Sequence, residues 1–117
     1  MYNKRTIGSE HEKLAAAYLT DLGYQIIEHN FYCRTGEIDM IAKDKEYLVF
    51  VEVKYRSSTE LGYPEEAITK RKQRSIIKAA KYYMLKNGLG EDTPCRFDVL
   101  VILGTDISLI SNAFDVY

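Results

Sequence analysis

Asp39, Glu52 and Lys54 are the residues of this chain whose types and spacing best fit chemistry. Glu52 and Lys54 stand two apart in the run Leu48-Val49-Phe50-Val51-Glu52-Val53-Lys54. On a strand, both side chains then project from one face, with Leu48 and Phe50, while Val49, Val51 and Val53 point the other way. Asp39 lies in the preceding apolar run, residues 37–42, across the polar turn Lys43-Asp44-Lys45-Glu46. With that turn symmetric about Asp44 and Lys45, Phe50 falls opposite Asp39 and Glu52 opposite Glu37. Asp39 and Glu52 become diagonal neighbours, about 7–8 Å apart at the backbone and closer at their tips. Two carboxylates so near repel each other, and half-burial makes the repulsion costly. A divalent cation resolves the conflict. Mg²⁺, or Mn²⁺ in its place, takes hard oxygen ligands, with one or two carboxylates completed by waters and phosphate oxygens. Such an ion lowers the pKa of a bound water and polarises a phosphoryl oxygen. Asp39, Glu52 and the backbone carbonyl of Val53 are the expected ligands. The Lys54 ammonium is expected to position the attacking water or to offset charge on a scissile phosphate. The competing reading is a plain strand ending, since charged residues commonly mark where a strand leaves the core and E-x-K alone is a common sequence. An Asp on the neighbouring strand, facing the same side, favours the chemistry.

The elements that must position these residues follow from periodicity. Residues 37–42 and 47–55 read as two strands, and alternation puts Ile38 and Met40 on one face and Glu37, Asp39 and Ile41 on the other. The second strand is apolar on both faces at its start, which predicts a central, doubly covered position. Upstream, Leu14, Ala17, Tyr18 and Asp21 fall at helical spacing, so residues 9–22 are expected to form a helix. Ser9 with Glu12 three residues on matches a capping box, and Gly23 is placed to end the helix. A short strand, residues 24–28, and a loop holding Asn30, Cys33, Arg34 and Gly36 complete the first half. A loop with Ser57, Ser58, Gly62 and Pro64 leads to a long helix over residues 65–86, stopped by Asn87-Gly88. Two strands, residues 96–103 and 107–113, flank Gly104-Thr105-Asp106. The order α-β-β-β-α-β-β predicts an α/β domain, a central mixed sheet covered by helices.

Composition narrows the function classes. A length of 117 residues suits one domain, residues 1–117, with one substantial core. No apolar run approaches the length of a membrane span, and no apolar segment follows the polar start, so no membrane association and a cytoplasmic location are expected. Cys33 and Cys95 lie far apart, outside any C-x-x-C pair, and read as free thiols. The net charge of -1 argues against gripping nucleic acid by bulk charge, so a nucleic-acid site must be a local patch. The second helix offers one. Lys70, Arg74, Lys78 and Lys81 form a stripe, opposite a core stripe of Ile77, Ala80 and Met84. Such a ridge is either a solvated face or a phosphate-contacting surface with salt-sensitive affinity. Arg34 and Arg56 flank the carboxylates, each able to clamp a phosphate or simply to face solvent. Arg96 and Asp98 are expected to form a structural pair, and Tyr82 and Tyr83 are candidates for stacking on bases.

The segments Gly36-Glu37-Ile38-Asp39-Met40-Ile41-Ala42 and Phe50-Val51-Glu52-Val53-Lys54-Tyr55-Arg56 resemble the YraN-like family of small bacterial proteins, which carries G-E-I-D-L-I-A and F-V-E-V-K-x-R. The resemblance continues through Glu12-Lys13-Leu14-Ala15, Leu22-Gly23-Tyr24, Asn30, the trio Gly62, Pro64 and Ala67, and Arg96-Phe97-Asp98-Val99, in the family's order. That family is similar to the restriction-endonuclease-like PD-(D/E)-x-K superfamily, especially to archaeal Holliday-junction resolvases. The resemblance implies a three-layer α/β/α fold and a Glu on the first helix joining the acidic site, a position that Glu12 matches. It also implies a polar or basic residue on the second helix near the site, which Lys72 supplies. One departure stands out. His11 replaces the family's usual Gly before the helical Glu, where it could crowd the helix, touch substrate or ligate metal. Like its relatives, the chain has Ile38 where the superfamily motif has Pro, so the PD half of that motif is only partly kept. The expected function is a Mg²⁺- or Mn²⁺-dependent endonuclease on DNA, branched or structured. Glu12, Asp39, Glu52 and Lys54 would be catalytic, and Arg34, Arg56, Lys70, Lys72, Arg74 and Lys78 would contact nucleic acid. A homodimer would suit a resolvase. A catalytically silent nucleic-acid-binding module and an assembly subunit are the rival readings.

Overall fold

Leu48, Val49, Phe50 and Val51 are all buried, so both faces of their strand are covered. The computed structural model describes residues 4–56 and 68–115, with side chains described from Glu10 onward. Among them the order is α1 (Lys4–Asp21), β1 (Gln25–Cys33), β2 (Gly36–Asp44), β3 (Tyr47–Arg56), α2 (Lys70–Lys86), β4 (Cys95–Leu103) and β5 (Asp106–Phe114). The five strands form one sheet in sequence order. Neighbours are antiparallel except β3 and β4, which are parallel. A parallel pair cannot be closed by a tight turn, and α2 lies in the crossover between these two strands.

The two helices cover opposite faces, giving the expected α/β/α layering. On one side Ile76, Ile77, Ala80 and Tyr83 of α2 pack with Phe31, Phe50, Phe97 and Phe114. Ring centroids 5.5 Å apart for Phe50–Phe97 and 5.0 Å for Phe97–Phe114 make an aromatic ladder across β3, β4 and β5. On the other side Ala15 and Leu19 of α1 pack with Met40, Val49, Val51, Leu100 and Ile102. The β1–β2 hairpin is pinned to α2 at its turn, where Ser75 Oγ donates to the Thr35 carbonyl at 2.9 Å. Gly36 makes that approach possible, because a Cβ there would collide with the Ser75 hydroxyl.

Several expectations need correction. α1 runs from Lys4, so Ser9 lies inside the helix rather than at its cap. It buries Ala15 and Leu19, while Leu14 is half exposed. β1 extends to Cys33, so Asn30 and Cys33 belong to a strand; Asn30 takes a left-handed φ of 53° within it. α2 begins at Lys70, capped by the Thr69 hydroxyl accepting from the Lys72 N–H at 3.1 Å, not at residue 65. Ser57, Ser58, Gly62, Pro64 and Ala67 lie outside the described residues. The β2–β3 turn is centred on Lys45 and Glu46, with Asp44 opposite Tyr47 and Ile41 opposite Phe50. The register therefore differs from the expected one by two residues, an even step that leaves every β3 side chain on its predicted face. Ile38 and Met40 do not share a face: Ile38 packs on the α2 side and Met40 on the α1 side.

Candidate active site

The break in alternation between Ile38 and Met40 centres on Asp39. The ladder between β2 and β3 stops at Met40 opposite Val51. Beyond that point the Asp39 carboxylate, not a backbone carbonyl, accepts the Val53 N–H at 2.7 Å. A side chain has taken a ladder position, which fixes its orientation between the strands. Glu52 is one residue before Val53 and only 5% exposed. Its Oε1 is approached by Lys54 Nζ at 3.8 Å and by Lys72 Nζ, from α2, at 3.9 Å. Its Oε2 is buried and has no hydrogen-bond partner.

The electrostatics match this geometry. Burial pushes the Glu52 carboxyl up from 4.5 to about 7, the Asp39 charge adds to the rise, and Lys72 and Lys54 oppose it. Asp39 is also raised, first by burial and then by Glu37 and Glu12, against the pull of the Val53 N–H and Lys72. The sheet and helices thus hold a buried carboxyl, Glu52, beside a half-buried one, Asp39, a costly arrangement unless something else shares them.

Glu12 joins from α1. Its Oε2 accepts the Asn30 side-chain amide at 2.9 Å, and its charge acts on Asp39. The structure therefore brings together Glu12, Asp39, Glu52, Lys54, Lys72 and the Val53 backbone. Arg34 is exposed in the β1–β2 turn, and Lys70, Arg74 and Lys78 are exposed along α2. Arg56 ends β3, and its carbonyl accepts the Gly104 N–H at 2.8 Å. His11 stacks on Tyr55 with ring centroids 3.9 Å apart. Tyr83 cannot meet a base, since it is buried edge-on against Phe31 and Phe50; Tyr82 is exposed. The residue whose role sequence reasoning missed is Asn30. Its signal was the tolerance of Asn for left-handed backbone, which here turns its amide to Glu12.

Among the described residues, no three His, Cys, Asp or Glu side chains form a ready-made metal cage. The oxygens of Asp39 and Glu52, with an orphaned Glu52 Oε2, nevertheless fit a hard divalent cation that completes its shell with water and substrate.

The model of the uncharacterised protein family UPF0102 matches residues 11–102, from the helical His11-Glu12 pair to the end of β4. The chain belongs to the UPF0102 family. A UPF0102 protein from Lachnoclostridium phytofermentans is 58% identical over 115 residues, 98% of both chains. One from Clostridium botulinum is 47% identical over 121 residues, again 98% of both. These relatives carry the same family description and name no activity, so membership bears out the resemblance read from residues 36–42 and 50–56 while the chemistry is argued from the site. Among the described residues, no helix of this UPF0102 chain is long and apolar enough to cross a membrane.

Proposed function

We propose that this UPF0102 chain is a metal-dependent nuclease of the restriction-endonuclease-like superfamily, hydrolysing phosphodiester bonds in DNA, with branched or structured DNA as its substrate class. The observation that carries the reading is the buried Glu52 carboxylate, one oxygen facing two ammonium groups and the other without a partner, beside the inward-turned Asp39. A structural role would reward filling that oxygen's shell or replacing the acid. Leaving it bare and repelled by a second carboxylate suits a site that hands it to a ligand.

Asp39, Glu52 and the Val53 carbonyl would hold Mg²⁺ or Mn²⁺. The ion would supply an activated water and polarise the phosphoryl oxygen. The Val53 N–H fixes the Asp39 carboxylate, so the pair is set before substrate arrives. Lys54 would orient the nucleophilic water or neutralise the phosphate from its place beside Glu52. Glu12, held by Asn30, completes the acidic shell. Lys70, Arg74 and Lys78 on α2, with Arg34 and Arg56, would contact the DNA backbone, giving affinity that falls with salt. A homodimer would present two such sites to a branched substrate.

The test is cleavage of a labelled four-way DNA junction and of a linear duplex, with Mg²⁺ or Mn²⁺, by the wild type, Glu52→Gln and Lys54→Gln. Metal-dependent cutting by the wild type, lost in both variants, is expected. Salt-dependent DNA binding by a wild type that cuts nothing with either metal would replace the nuclease with a silent binding module.

A further inference from the structure

Two lysines converge on one oxygen of Glu52, and they are not equivalent. Lys54 follows Glu52 by two residues on the same strand, so its proximity is built into β3. Lys72 reaches across from the first turn of α2. That turn carries Lys70, Arg71 and Lys72 and no acid. Three cations at the positive end of a helix dipole oppose helix formation. The charge at Lys72 has its compensation in the Glu52 carboxylate it faces at 3.9 Å. Lys72 is also the cation that draws both Asp39 and Glu52 toward their charged forms. Its side chain is about one-third exposed (32%), so its ammonium is anchored at the pair yet open to solvent and to anything that binds along α2.

We propose that Lys72 is the resident counter-cation of the Asp39–Glu52 pair: it competes with the divalent metal for these carboxylates, and a substrate phosphate that draws it away raises the pair's affinity for metal. The inference rests on the nuclease reading and adds to it a coupling between DNA and metal. By linkage the coupling is reciprocal, so metal that displaces Lys72 frees it to contact a phosphate. Lys72 is thus a positioning residue shared between metal and DNA.

The test is calorimetric titration of Mn²⁺ at pH 8, where the carboxyls are ionised, without DNA, into chelator-stripped wild type, Lys72→Gln and Lys72→Arg. A neighbouring charge changes a carboxylate's proton affinity by one or more powers of ten. The same field acts on a metal, so Lys72→Gln is expected to bind Mn²⁺ about tenfold tighter than the wild type. Lys72→Arg should restore the wild-type value. A residue that merely supports the fold would weaken Mn²⁺ binding when replaced. In a second arm, four-way junction binding is followed by fluorescence anisotropy. Lys72→Gln should bind more weakly than the wild type, and the deficit should be larger with metal than in chelator. With Ca²⁺ bound, its salt slope should be shallower by about one. Unchanged or weaker Mn²⁺ affinity in Lys72→Gln, with the wild type binding metal, overturns the inference alone. No Mn²⁺ binding by any of the three proteins overturns the nuclease reading and the inference with it.

Discussion

Among the described residues two carboxylate centres are buried, on opposite faces of the sheet, and they are built to opposite standards. Asp98, on the α1 side, is 1% exposed and has every oxygen occupied. Its Oδ1 accepts from Arg96 Nε and from the Asn112 N–H, both at 2.9 Å. Its Oδ2 accepts from the Tyr24 hydroxyl at 2.9 Å and from Arg96 Nη2 at 3.0 Å. Arg96 is further held by Asp44 at 3.1 Å and lies over the rings of Tyr24 and Tyr47. Burial and the bond to Asp98 push the Tyr24 hydroxyl up to about 12. On the α2 side Glu52 has two ammonium groups near 4 Å, a second acid beside it and a bare oxygen. Both centres use an Asp to take a backbone N–H from a neighbouring strand, Asn112 for Asp98 and Val53 for Asp39. The difference teaches that burial of charge alone does not mark function here. The structural centre is closed by its own hydrogen bonds, and the candidate active site is left open at Glu52 Oε2.

The contrast can be broken at either centre. The largest effect is expected at the closed one. Asp98→Ala leaves Arg96 and Tyr24 without their shared acceptor and should cost about 3–5 kcal/mol in urea unfolding. It should leave Mn²⁺ affinity unchanged. At the open centre the sign reverses. The Glu52 carboxyl titrates near 7 in the folded protein against an ordinary 4.5. The folded state therefore binds more protons between those values. The stability this provides is fully present below about 4.5 and is lost as pH rises through about 7. Glu52→Gln removes that penalty, so at pH 8 the variant should be more stable than the wild type by up to about 3 kcal/mol, with a flatter pH profile. Urea titrations from pH 4 to pH 8 measure both. Asp39→Ala should cost about 1–2 kcal/mol for the abandoned Val53 N–H and should move the Glu52 titration down toward the ordinary carboxylate range. The smallest change is expected for Asn30→Ala, about 1 kcal/mol, with a slight weakening of metal binding as Glu12 loses its anchor.

Much of this was legible in the chain. The alternation from Leu48 to Lys54 identified a central strand whose one face turns charged, and the charges of Asp39 and Lys54 both act on Glu52. The pairing of Arg96 with Asp98 was equally readable. What was hidden were backbone irregularities. Asp44 looks like a turn residue, yet Lys45 is the one that takes positive φ, 56°. Asn30 has the chemistry of a loop residue and spends it inside β1. The flip at Asp39, which separates Ile38 from Met40, follows from a side chain replacing a ladder carbonyl, and periodicity assumes an unbroken ladder. Ser9 matched a capping box, yet the helix continues past it to Lys4, since a local capping signal does not stop a turn that can form on either side.

The most direct test of the central claim, that the open carboxylate pair exists to hold a divalent cation, is the unfolding free energy at pH 8 with and without Mn²⁺. A ligand that binds only the folded state at a hundred times its dissociation constant adds about 2.7 kcal/mol. The account predicts a gain of that order for the wild type and for Asp98→Asn, and none for Glu52→Gln. An equal gain in wild type and Glu52→Gln, or no gain in the wild type, would contradict it.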